Sequence, residues 1–234
     1  MNKENLKAKI QEMPKIELHV HLKGATRPET ILKLAKKNNI SLPAKNLTEM
    51  KEWFKFKNFN HFLDVYMQTA MCFMEPEDIE LAAKEFLAEQ ARQNIVYTEL
   101  TYTANHLTMS FEDQLAALNS AKAWGESHLG VSMNYVIDIP RSMTFGDHQE
   151  RSQRFAKQAV SGMGKGVVAL GLAGDENKYT VEFFSPAFDI AKEAGLPIVP
   201  HAGEAAGPQS MLDAIQYCDP PRIGHGDVAS KIKI

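Results

Sequence analysis

The sequence predicts an α/β chain built on a parallel sheet. Two observations carry this reading. Short segments rich in Val, Ile, Leu or Tyr alternate with segments whose apolar residues recur every three or four positions. The chain is also 44% hydrophobic and 24% charged, an ordinary balance for a folded domain with a sizeable core.

Six strands are expected, at 16–22, 96–102, 131–138, 167–171, 197–201 and 222–224. The first is followed by a long connection, to Val96. It holds a helix near Pro28–Lys37, an aromatic stretch from Trp53 to Phe62, and a helix whose apolar face is Ile79, Ala82, Ala83, Phe86, Leu87 and Ala91. This region, about 25–95, is expected to be a helical lid within a single domain spanning 1–234. Met67, Met71 and Met74 beside Phe62 and Phe73 read as core packing, with a lid lining as the alternative. Phe155, Ala159 and Val160 mark a further helix. Gly162–Gly166 lacks the spacing of a phosphate loop and reads as a turn into the fourth strand. Phe184, Phe188, Ile190 and Ala191 form a helix stopped by Gly195 and Pro197. Pro208 opens the last helix, with Met211, Leu212 and Ile215 as its expected buried stripe. Six strands and one insertion of over 70 residues leave too little chain to close an eight-stranded (β/α) barrel, which takes about 250 residues.

The charge, 26 basic against 29 acidic residues for a net −3, argues against nucleic-acid or anionic-membrane partners. No apolar run approaches the ~18 residues of a membrane span. The charged stretch from Met1 to Met13 lacks the apolar core of a secretory signal. Two cysteines, Cys72 and Cys218, give no disulfide framework and read as packed thiols, so a cytoplasmic setting is expected.

Chemistry concentrates in three places. In Glu17-Leu18-His19-Val20-His21-Leu22, period two sends His19 and His21 to one strand face. Two imidazoles one strand repeat apart can share a zinc-type ion, or they are polar residues on an exposed face. His201-Ala202-Gly203-Glu204 follows an apolar strand, where barrel sites sit. His201 can add a third ligand, and Glu204 can exchange a proton. His225 is flanked by Gly224 and Gly226, so a ligand can approach closely. His61, His106, His128 and His148 show no such setting. Four histidines at the ends or inner faces of parallel strands point to a metal site.

Residues 14–24, Arg27-Pro28-Glu29-Thr30, Leu172-Ala173-Gly174-Asp175-Glu176, His201-Ala202-Gly203-Glu204 and Gly224-His225-Gly226 together resemble the adenosine deaminase family, in order and from about Pro14 to Gly226. Residues 94–99 are similar to a bacterial branch that includes aminodeoxyfutalosine deaminases. The resemblance implies a TIM-type (β/α) barrel of the metal-dependent hydrolase kind, incomplete at six of eight strands. It implies one Zn2+ per chain, held by His19, His21 and His201. Glu204 would protonate the purine ring and His225 would orient or deprotonate the water. Gly174, His21 and Lys23 would border a purine nucleoside. The implied reaction replaces a 6-amino group with oxygen.

Two departures accompany the match. Lys23 stands where the family is usually acidic. It is a tolerated rim change, a shift toward an anionic substituent, or a sign of relaxed constraint. After Gly226 the sequence supplies no adjacent aspartates of the kind the family places on its last strand. The expectation is a C-terminally truncated member with impaired turnover, incomplete zinc loading and open barrel edges that self-associate. Two alternatives stand beside it: an inactive relative that binds nucleoside or a partner, and another amidohydrolase-type barrel with a different substrate.

Overall fold

The computed structural model describes residues 3–104, 108–141 and 147–231; His106 lies outside them. These residues gather in two compact units, one drawn from 1–100 and 105–134, the other from 101–104 and 135–234.

The first unit opens with α1 (Lys3–Glu12) and β1 (Lys15–His21). Five helices follow: α2 (Leu22–Ala25), α3 (Pro28–Lys37), α4 (Leu47–Trp53), α5 (Phe59–Ala70) and α6 (Pro76–Arg92). β2 (Ile95–Tyr102), whose last two residues belong to the second unit, and α7 (Phe111–Leu129) complete its elements, apart from the start of β3 (Ser132–Pro140). The connection expected to be helical is helical. α7 was not expected, although its signals are present. Ser110 caps it by accepting from the Asp113 N–H at 3.0 Å, and Gly130 ends it at φ +67°. α6 and α7 pack closely because residue 125 is glycine. A Cβ there would lie 2.8 Å from Leu87 Cδ1. β1 is tied down at its start: the Lys15 N–H donates to the Asn94 carbonyl at 2.9 Å, and Gln90 Nε2 donates to Glu17 at 2.6 Å.

Met67 and Met71 are 47% and 57% exposed, so the core reading fails for them. On α5 the buried positions are Val65 and Thr69, and the methionines lie off that face. Cys72 and Cys218 are both buried free thiols, as expected. Burial pushes Cys72 up to about 11 and Cys218 up to about 12.

The second unit holds the rest of β3, then α8 (His148–Ser161), β4 (Val167–Ala173), a 3-10 turn at Val181–Phe184 running into α9 (Ser185–Glu193), β5 (Ile198–Ala202), α10 (Pro208–Cys218) and β6 (Gly224–His225). Gly162–Gly166 is the turn into β4, with Gly164 and Gly166 at positive φ. β3 pairs with β4, β4 with β5 and β5 with β6, all in parallel. The register sets Asp138 opposite Gly171, Gly171 opposite Val199 and His201 opposite Gly224. Alternation then makes two faces. One carries Val136, Asp138, Ala169, Gly171, Val199 and His201; Val136, Ala169 and Val199 form a buried cluster on it. The other carries Ile137, Ile139, Leu170, Leu172 and Ile198, all 2% exposed or less.

The stripe expected on α10 is partly wrong. Met211 is buried, but Leu212 and Ile215 are 41% and 52% exposed. The buried line is Met211, Ala214 and Cys218, at steps of three and four. Met211 and Ala214 pack with Ala202, Ile223 and Val228, so small residues next to the strands win over larger ones one position away. Among the described residues, no helix is long and apolar enough to cross a membrane.

Gly171 is the tightest point of the β3–β4 pair. A Cβ there would sit 2.0 Å from Asp138 Oδ1 and 3.0 Å from Val136 Cγ1. Gly171→Ala should therefore cost about 1–3 kcal/mol of stability, the usual range for overpacking. Urea unfolding measures this, and a loss under about 0.5 kcal/mol, the usual effect of a surface change, would show that the strands part freely.

Candidate active site

In the first unit, β1 ends in two histidines. The His19 and His21 rings meet edge-on with centroids 5.8 Å apart. The His21 ring also meets Tyr66 of α5 edge-on at 6.1 Å. The chain then enters α2, whose Leu22 and Lys23 are buried. Lys23 is 7% exposed, so it is not a solvated rim residue, and its Nζ lies 5.9 Å over the Phe73 ring. Such a contact attracts a desolvated ammonium. Burial nevertheless pulls the Lys23 pKa down to about 8.

In the second unit, three strand ends contribute. β4 runs out at Ala173 and Gly174 follows at φ +100°, a conformation that favours glycine. β5 delivers His201, which is 4% exposed. Arg141, 2% exposed, fastens the end of β5. Its Nη2 donates to the His201 carbonyl at 2.9 Å, and its Nη1 donates to the Tyr179 carbonyl at 2.8 Å. The chain then turns at Gly203, φ +74°, and presents Glu204. β6 delivers His225, whose ring lies 5.0 Å from that of His201. His225 Nε2 lies 3.5 Å from Glu204 Oε2. Glu204 is held above its usual range chiefly by burial. His225 opposes this, Glu176 and Asp227 add to it, and Arg141 opposes it. A carboxyl raised in this way can hold and release a proton nearer neutral pH.

Three residues of this unit were not assigned from the sequence. Arg141 is one. Asp138 is another: it is buried on the face that carries His201, and burial raises its pKa well above the usual range. Glu204 raises it further and Arg141 opposes. The available signal was one acid in the otherwise apolar Val136-Ile137-Asp138-Ile139. The third is Glu176, whose carboxylate accepts the N–H groups of Gly203, Glu204 and Ala205 at 2.9, 2.8 and 2.8 Å. Of the remaining histidines, His61 accepts from the Lys57 N–H at 3.2 Å, His128 stacks on Trp124, and His148 packs on Tyr179.

Polar and metal-competent residues at the C-terminal ends of parallel strands, with helices between the strands, define a barrel of the metal-dependent hydrolase class. The comparisons agree. A solved amidohydrolase from Burkholderia ambifaria with bound zinc superposes with a TM-score of 0.85 at 20% identity, over 99% of this chain and 64% of that one. The fold is the TIM-type (β/α) barrel kind, with six strands among the described residues. The family model for adenosine deaminase matches residues 14–231, and the chain belongs to the adenosine deaminase family. It is 33% identical to an adenosine deaminase of Clostridium kluyveri over 98% of this chain and 67% of that protein. It is 34% identical to an aminodeoxyfutalosine deaminase of Streptomyces coelicolor over 95% of this chain and 58% of that one. The chain thus spans about three fifths to two thirds of the length of these relatives.

His225 is itself in the left-handed region, at φ +67°. A non-glycine residue there carries roughly 1–2 kcal/mol of strain, most for β-branched side chains. His225→Gly should therefore be stability-neutral or mildly stabilising, and His225→Val should lose about 1–2 kcal/mol or more. Thermal unfolding of both variants checks the order; equal melting points would show that β6 relaxes its backbone.

Proposed function

We propose that this chain acts on adenine nucleosides as a hydrolytic deaminase, replacing the 6-amino group with oxygen and releasing ammonia. The observation that carries the reading is the group of His201, Glu204 and His225 at adjoining strand ends, in a chain of this family. Relatives named for adenosine and aminodeoxyfutalosine support an adenine nucleoside as the substrate class.

The donor set suits zinc. His19, His21 and His201 offer three neutral imidazole nitrogens, the ligand type of catalytic zinc sites. The His19–His21 pair shares one strand face, and His201 ends a strand. We assign these three residues to one Zn2+. When bound, the ion would supply the Lewis acidity that makes water a usable nucleophile near neutral pH. Glu204, raised in pKa by burial, gives its proton to the ring nitrogen beside the carbon under attack. That carbon becomes electrophilic as the ring takes the proton. His225, beside Glu204, orients the attacking water, accepts its proton and passes it to the amino group, so that the C–N bond breaks and ammonia leaves while the proton left on the new oxygen returns to Glu204. Gly174 offers backbone to the purine, and His21 and Lys23 border the nucleoside. The buried ammonium of Lys23 gives this border a positive charge, which favours a substrate carrying an anionic substituent.

Metal content tests the ligand assignment. The purified chain should hold zinc up to one ion, and His19→Ala, His21→Ala and His201→Ala should each lower it. Undiminished zinc in all three would remove the assignment. The reaction itself is followed by the loss of adenosine absorbance in the zinc-loaded chain. Glu204→Gln should lower kcat by a factor of ~10² or more, the scale of one general acid. The rate should fall as pH rises through the Glu204 pKa, because only its protonated form donates. A rate indifferent to Glu204→Gln, or one that grows through that range, would refute the role.

A further inference from the structure

Glu176, the second acid of Leu172-Ala173-Gly174-Asp175-Glu176, has no part in the chemistry above, yet four donors converge on it. Oε1 accepts the N–H groups of Glu204 and Ala205, each at 2.8 Å. Oε2 accepts the Gly203 N–H at 2.9 Å and the Ser210 hydroxyl. Glu176 is 5% exposed. Burial alone would raise its pKa, but the Ser210 hydroxyl and the three N–H groups hold it below the usual range. The clamp also works in the other direction, because Asn177 Nδ2 donates to the Ala205 carbonyl at 3.2 Å. The loop after β4 therefore grips the loop after β5 by its backbone, over the three residues centred on Glu204.

We propose that Glu176 is a positioning residue for Glu204: its carboxylate fixes the 203–205 turn and so aims the proton donor. The inference rests on Glu204 being that donor. The geometry supports it in three ways. Gly203 already bends at φ +74°, and a Cβ there would lie 3.0 Å from Met211 and 3.1 Å from Val228, so one side of the turn is set by packing. The other side has three consecutive N–H groups facing one carboxylate, an arrangement in which successive amides bind an anion. Charge-assisted hydrogen bonds of this kind are shorter and about twice as strong as neutral ones. Glu176 also acts on Glu204 through its charge. Around Glu204 stand His225 and Asp227 from the β6 segment, Arg141 and Asp138 from the β3 segment, and Glu176 from the β4 segment. Of these, Glu176 is the one that also holds the backbone of Glu204.

Gln at 176 keeps one oxygen and puts an NH2 where the other was. Either the Gly203–Ser210 pair or the Glu204–Ala205 pair then meets a donor instead of an acceptor. Amide hydrogen exchange on the full zinc-loaded chain reads this directly. Glu176→Gln should speed exchange about tenfold or more at Gly203, or at Glu204 and Ala205, the scale of one lost charge-assisted bond. Glu176→Ala should do so at all three, while Ile137, Leu170 and Leu172 stay protected. Ser210→Ala, which leaves the carboxylate in place, should give a smaller effect. Wild-type exchange at 203–205 in both Glu176 variants overturns the proposal, as does equal loss of protection throughout the unit.

Turnover gives a second measurement. Glu176→Gln should lower kcat with KM changed little, and the double variant with Glu204→Gln should be no slower than Glu204→Gln alone, the mark of residues acting as one unit. Effects that multiply would overturn the proposal. A wild-type chain without deaminase activity would refute the functional reading instead, and the exchange pattern would then decide the clamp on its own.

Discussion

The second unit depends on the two-residue period of its parallel strands and the register that locks it. Asp138 opposite Gly171, and Gly171 opposite Val199, fix which side chains share a face. A slip of one residue would turn Asp138 and His201 to the helix side and bring Ile137, Leu170 and Ile198 in their place. The small residues of β4 make the arrangement workable. Ala169, Gly171 and Ala173 leave room for Asp138 and the valines, while the opposite face of the same strand is Val168, Leu170 and Leu172. Packing and chemistry are therefore separated along each strand by alternation alone.

Once the strands are set, the polar groups lie at strand ends, where backbone geometry is least regular. Gly174, Gly203, His225 and Gly226 all have positive φ. Each sits where a strand gives way to a loop, and three are glycines, which adopt this conformation without strain. His225 adopts it as a non-glycine, a departure tolerated most often where function requires a particular side chain. Arg141 and Glu176 do the opposite work. They bind the irregular backbone with full charges, Arg141 through carbonyls and Glu176 through N–H groups, so the turns are held without regular secondary structure.

Much of this was legible in the sequence. All six strands fall within a few residues of their expected places, because each is short and most are rich in Val, Ile, Leu or Tyr between glycines, prolines or helical periods. The four strand-associated histidines are where alternation and strand ends put them, with His201 and His225 adjacent in the second unit. α7 was harder to see. Its buried positions are Phe111, Gln114, Leu115, Ala117, Leu118, Ala121 and Gly125, so its apolar face is interrupted by Gln114 and, beyond Leu118, is made of small residues. α10 misled for a related reason: Leu212 and Ile215 are the conspicuous apolar residues, yet Ala214 and Cys218 face the strands. Glu176, Arg141 and Asp138 escaped notice because their roles are contacts made across long stretches of chain. The Glu176–Ala205 bond, for instance, joins residues 29 positions apart. No local period announces such a contact.

The chain has two cysteines, and the fold gives one to each unit. Cys72 is 0% exposed and Cys218 2%, and both thiols are pushed well above their ordinary pKa by burial. Neither is accessible or ionised in the native protein, so neither should react with alkylating reagents until its surroundings open. The two sulfurs are thus built-in reporters. Labelling at Cys72 times the opening of the first unit and labelling at Cys218 times that of the second. Equal labelling rates would mean that the units open together, and unequal rates would identify the one that loosens first.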